Sequence, residues 1–222
     1  MTDSFMLATR IPMTREGFEQ WLDTPAPNPD VISDPDAMFD GWFWDGRRAG
    51  TAWATAAVGV TPREFLARRT EDACTGEPTI GVVLYREGAL EAYLFHLGYV
   101  ESSVHTALLM FAAAAPFKTE PTTDPVLFWA ETSAALGEPD WNGWLAVLSV
   151  GKEEARFIGA TNLTEAIAVL RPIEDRFFTM VERLGEEEES WDWDSDEPYR
   201  TDIPRDPSFI DPAVLAPRSG PR

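Results

Sequence analysis

TIGVVLYREGALEAYLFHL, residues Thr79 to Leu97, decides the fold. It holds two runs rich in Val, Leu and Tyr, Thr79 to Arg86 and Ala89 to Leu97, separated by Glu87-Gly88. Two residues of that kind between two β-type runs predict a hairpin closed by a tight turn. The pairing it imposes is antiparallel, which fixes how the rest of the chain is to be arranged.

Working downstream, Ser102 or Ser103 is positioned to cap a helix carrying Val104, Leu108 and Phe111 on one face, and Pro116 stops it. Pro125 to Glu131 and Trp144 to Val150 are strand candidates. The second turns through Gly151-Lys152-Glu153-Glu154 into Ala155 to Gly159, a second hairpin. Asn162 with Glu165 opens the last helix, in which Leu163, Ile167, Leu170, Ile173, Phe177, Val181 and Leu184 recur every three or four residues. Pro172 inside it predicts a kink or a break.

Upstream, Thr61-Pro62-Arg63-Glu64 is a capping box with proline at the first helical position, opening a helix that Gly76 ends. Thr24 to Pro35 holds four prolines and reads as a loop. Thr14 caps a short helix through Leu22, and Ser4 to Pro12 reads as a strand. Strands grouped in hairpins, with helices between the groups, give an α+β class: an antiparallel or mixed sheet covered by helices. The units 79–115 and 144–184 share element order but no sequence, so no repeat is present.

Charge divides the chain near Gly185. Residues 186–222 contain eleven acidic and four basic residues with six of the eighteen prolines, so this stretch is expected to be a disordered acidic tail beyond a single 1–185 domain. Trp191, Trp193, Tyr199, Phe209, Ile210, Val214 and Leu215 are apolar anchors within it, a composition suited to folding on a partner or lying back over the domain.

The formal charge of −20, from 38 acidic against 18 basic residues, disfavours direct binding to nucleic acid or to an anionic membrane surface, both of which rest on Lys and Arg. It favours encounter with a basic macromolecule. Cys74 is the one cysteine, so no internal disulfide forms. With no secretory pattern at the start and no apolar run of about 18 residues, a cytoplasmic protein is expected.

No cofactor or metal is expected. His96, His105 and one Cys cannot write a zinc pattern. Asp36 to Gly41 and Asp192 to Asp196 alternate oxygen-bearing residues as calcium loops do, but Met38 and Glu197 stand at positions that rule the pattern out. Nucleophile elbows, phosphate-binding glycine loops and dinucleotide fingerprints are missing. Cys74 with a histidine, or dispersed carboxylates, are what an enzyme would have to use.

The aromatic cluster Phe39, Trp42, Phe43, Trp44 with Asp45 is open to two readings, a packed core segment or Ω-loop and a partner-binding hot spot. Arg47 and Arg48 beside it are placed to pair with the acidic tail. The candidate partner-binding residues are therefore Trp42, Trp44 and Asp45, together with Glu186, Glu187, Glu188, Glu189, Trp191, Asp192, Trp193 and Asp194. In profile, though in no motif, the chain is similar to immunity proteins and antitoxins: small, acidic, α+β and without catalytic signature. That profile implies an inhibitor neutralising or stabilising a basic partner such as a toxin. An enzyme and a subunit of a larger assembly are the alternatives.

Overall fold

The computed structural model describes residues 5–33, 35–39, 56–76, 81–97, 101–130, 145–158 and 163–217. The hairpin forms where the turn chemistry places it. β3 (Gly81–Arg86) and β4 (Ala89–Leu94) pair antiparallel, with Arg86 opposite Ala89. Glu87 and Gly88 between them have φ of 49° and 74°, the two left-handed residues that a primed turn needs to match the strand twist. At the start of β3, a Cβ on Gly81 would stand 2.7 Å from the Tyr93 carbonyl oxygen, so the strands close tightly there.

β1 (Phe5–Pro12) pairs with β4 on one side and with β5 (Asp124–Ala130) on the other, both antiparallel. β6 (Leu145–Val150) and β7 (Ala155–Ile158) form the second hairpin. With Ile32–Ser33 as β2, the seven-stranded order is β2-β7-β6-β5-β1-β4-β3. β2 (Ile32–Ser33) lies within the stretch read as a loop and pairs parallel with β7, which makes the sheet mixed. Two residues are too few for an alternation to register in the sequence.

Period-two alternation sorts the side chains onto two faces. Phe5, Leu7 and Ile11 of β1 join Val126 and Phe128 of β5 and Leu148 of β6 in a core covered by three helices: α1 (Arg15–Leu22), α2 (Pro62–Ala73) and α3 (Glu101–Ala112). Met6, Ala8, Tyr93, Leu127 and Trp129 face the other way, under α4 (Leu163–Ser190). The caps form as the sequence implies. Thr14 accepts from the Gly17 amide at 3.0 Å, and Thr61 with Glu64 closes a complete capping box. α3 begins at Glu101, one residue before the expected cap.

α4 is continuous through Pro172 for 28 residues, and Leu170, Ile173, Phe177 and Met180 form its buried stripe. Tyr93 stacks on Phe177 at 4.4 Å and meets Trp129 edge-on at 5.8 Å. Glu91, 4% exposed on the same face, pairs with Arg10 at 3.4 Å and with Arg176 of α4. Among the described residues no helix is long and apolar enough to cross a membrane.

Residues 186–217 do not confirm a disordered acidic tail. α4 runs through Gly185 to Ser190, and after a chain of turns the backbone returns to the sheet. Ile210 bridges Val83 in parallel: the Val83 amide donates to the Phe209 carbonyl at 2.8 Å, and the Asp211 amide donates to the Val83 carbonyl at 2.8 Å. Phe209 is buried in the α4-side core, while Ile210 and Val214 are buried on the opposite side, so the segment straddles the β3 edge. A short helix, α5 (Pro212–Leu215), completes it, with Asp211 accepting from the Ala213 amide at its start. Composition predicts disorder because it averages over the stretch. The few apolar residues are spaced to fill sockets on both sides of one strand, each buried side chain contributing roughly 1.5–3 kcal/mol.

Candidate functional site

Glu186, Glu187, Glu188 and Glu189 form the last turns of α4, where the helix dipole is negative and basic side chains are favoured. The last turn carries no basic residue. Each carboxylate there works against the helix by a few tenths of a kcal/mol, about 0.3–1 at most, so helix stability does not account for the run. Glu186, Glu188 and Glu189 are exposed, whereas Glu187 is half-buried and accepts a hydrogen bond from the Thr201 hydroxyl.

The chain then turns sharply. The Trp191 amide donates to the Glu188 carbonyl at 3.2 Å, and the Asp192 carboxylate accepts from the Asp194 amide at 3.1 Å. These bonds hold three rings together: Trp191 meets Tyr199 edge-on at 5.5 Å, and Trp193 stacks on it at 6.0 Å. Trp191 is half-buried, but Trp193 is 63% exposed, with exposed Asp192, Asp194, Asp196 and Glu197 around it. A large aromatic surface rimmed by carboxylates presents apolar area and negative charge to the same partner.

Eight of the eleven expected partner-binding residues, Glu186 to Glu189 and Trp191 to Asp194, follow one another at the end of α4 and in the turns after it, a stretch we call the knob, and of these Glu187 and Trp191 are half-buried and the other six exposed. Trp42, Trp44 and Asp45 lie outside the described residues, as do Arg47 and Arg48.

Behind the knob a cleft of about 580 Å³ opens between α4 and the returning chain, lined by Arg183, Glu187, Arg200, Asp202, Arg205 and Asp206 among others. Arg183 reaches the Asp206 carboxylate at 3.0 Å, and Arg205 pairs with Glu71 of α2. Sequence reading passes over these arginines. Nothing local marks them, because their partners lie far away in the chain.

Further along, Asp211 receives Arg15 through both guanidinium nitrogens, at 2.5 and 2.8 Å. Burial pushes its carboxyl up, but the Arg15 guanidinium and the Ala213 and Tyr85 amides more than offset this and hold it below the ordinary carboxylate range. Asp211-Pro212 is an N-cap followed by proline, a signal that could have located this anchor.

Cys74 caps α2 at its C-terminal end, buried, and its carbonyl accepts from the Thr201 amide at 3.1 Å. Burial pushes its thiol up and the nearby Asp202, Glu71 and Glu187 carboxylates reinforce this, against Arg205. A nucleophilic cysteine needs the opposite shift. Among the described residues no group of three or more His, Cys, Asp or Glu is placed to hold a metal ion.

Fold and knob together define an α+β protein with exposed carboxylates and an exposed tryptophan following one helix end. No protein-family model, curated protein or solved structure matches the chain.

Proposed function

We propose that the protein is an acidic, cytoplasmic protein-binding module that grips a basic partner with the knob formed by Glu186 to Asp194, in the manner of an immunity protein or antitoxin neutralising a toxin. The observation that carries this reading is Trp193, 63% exposed and stacked on Tyr199, flanked in the chain by exposed Asp192 and Asp194 and following a helix end whose exposed Glu186, Glu188 and Glu189 do not serve the helix. Carboxylates on such a knob would occupy a cationic groove as phosphates do, and the net charge of −20 would steer the encounter. The single cysteine, unpaired and buried, suits a reducing compartment.

The test is affinity capture from the native host on the immobilised chain, compared with a variant carrying Trp193→Ala and Gln or Asn at residues 186, 188, 189, 192 and 194. A basic protein should be retained by the first, lost from the second, and released as salt rises from about 50 to about 300 mM, where screening shortens to several ångströms. Retention of the same proteins by both chains, or binding indifferent to salt, would remove the knob from the mechanism.

A further inference from the structure

The returning segment sits on the sheet as a bound peptide does. It adds to the free side of β3 through main-chain bonds on both sides of Val83, sends alternate side chains to opposite faces, and is clamped at one carboxylate. Arg15 supplies that clamp from α1, and the Tyr85 amide approaches the same carboxylate at 3.4 Å. Arg63, itself held by Asp23 at 2.7 Å, donates to the Ala213 carbonyl and to that of Ala216 at 3.2 Å, closing the C-terminal end of α5. Every one of these groups belongs to the body of the protein and is in place whichever chain supplies the peptide.

We propose that the β3 edge is a peptide-binding groove selective for a Phe-Ile-Asp-Pro-Ala-Val segment, Phe209 to Val214, bridged to β3 at Ile210 and helical from Pro212, and that two copies of this chain exchange that segment. The two arginines select the occupant, since they require a carboxylate where Asp211 stands and free carbonyls at the positions of Ala213 and Ala216. This chain supplies all of it.

The connection permits exchange. Between the end of α4 at Ser190 and buried Thr201 lie ten residues, of which 192–198 are all exposed. Drawn out, ten residues reach about 33 Å. The cleft of about 580 Å³ undercuts the first part of the segment, whose hold there includes the partly exposed pairs Arg183–Asp206 and Arg205–Glu71. Swapping an identical element between protomers reproduces every contact, so its cost lies mainly in association and in opening the cis arrangement. Exchange would draw out Trp191 to Asp194 of the knob, but the groove itself holds no knob residue, so peptide competition and salt-dependent partner capture can fail separately.

A specific protease site inserted between Glu197 and Pro198 of the full chain, in the exposed turn, tests the groove without altering it. After cleavage the C-terminal fragment should remain bound in native mass spectrometry, and about a hundredfold excess of a fluorescent peptide of residues 200–217 should displace it. A peptide with Asp211→Ala should compete at least ~10-fold less well. A second variant of the intact chain, Val83→Cys with Ile210→Cys and Cys74→Ser, reports exchange. Concentrated, then diluted and oxidised, it should give covalent dimers, with monomers alone when kept dilute throughout. Loss of the fragment on cleavage, equal competition by both peptides, or monomers at every concentration would overturn the proposal. Near-UV circular dichroism of each variant confirms that the sheet is intact before the result is read.

Discussion

The β3–β4 hairpin and the segment that docks on its outer edge are built from similar materials by different means. In the hairpin, partners lie within about a dozen residues of each other and two backbone angles at Glu87 and Gly88 set the register. In the docked segment the partners are remote: Arg15 meets Asp211 across 196 positions and Arg63 meets Ala213 across 150. The first can close through local chemistry alone, while the second is assembled from groups on α1, α2 and β3. The edge that a hairpin leaves open is thereby covered, a need that any sheet of this kind must meet.

The largest effect is expected where the α4-side core depends on one side chain. Tyr93 is fully buried between Phe177 and Trp129, so Tyr93→Ala should cost about 3–5 kcal/mol in urea unfolding, the usual range for removing a buried aromatic. Helix α4 and the docked segment should be lost in the same transition. A loss under about 1 kcal/mol would mean that the α4-side core repacks around the gap.

Asp211→Ala removes the Arg15 anchor together with the α5 cap and the contact to the Tyr85 amide, and leaves the turn at Glu87-Gly88 untouched. Arg15 is 43% exposed, so the stranded guanidinium finds water and the cost is lower than for a wholly buried pair, about 2 kcal/mol. That corresponds to roughly thirtyfold less hydrogen-exchange protection at the Val83 and Asp211 amides. Ala92 and Leu94 of β4, one strand in from the edge and paired with β1, should keep theirs. Equal loss at all four positions would show that the segment and the hairpin open as one unit.

Legibility in the sequence divides along the same line of near and remote partners. Thr61-Pro62-Arg63-Glu64, Glu87-Gly88 and the stripe from Leu163 to Leu184 all speak through neighbours three or four residues away, and they carry the α+β class and most element bounds. Part of the knob is legible too, because Glu186 to Asp194 are contiguous. The docking of Phe209, Ile210 and Val214 is not, since three apolar residues among six prolines show no period and their sockets are assembled from β3, α2 and α4. Nor can counting charges show that Asp206 and Asp211 are consumed by Arg183 and Arg15 rather than displayed.

Acid provides a gentler way to part the two regions. Asp206 is held low, first by the Ser208 hydroxyl and amide and then by Arg183; Asp211 is held low by Arg15 and two amides in spite of burial. Because both folded pKa values lie below the unfolded one, near about 4, their stabilisation is complete above that value and fades as pH falls through the folded ones. Neither group acts on the hairpin turn. Pepsin should therefore cut beside Phe209 as pH drops below about 4 while the 81–94 hairpin still resists. Simultaneous cleavage of both would refute separate anchoring.

The smallest effect belongs to the turn, which probes the hairpin without touching the segment. Gly88 has φ +74°, and a Cβ added there would meet nothing within 4 Å, so Gly88→Ala tests backbone conformation free of steric contact. A left-handed alanine costs about 1 kcal/mol. The cost should appear as a lower urea midpoint with an unchanged slope, and as a slower refolding rate if the turn is already formed in the transition state. Amide protection at Val83 against local opening should not change, because the segment's hold on β3 runs through Arg15, Arg63 and the buried faces rather than through the turn. A drop at Val83 in Gly88→Ala matching that in Asp211→Ala would mean that the hairpin's register is itself what seats the segment, and the two regions would have to be treated as one.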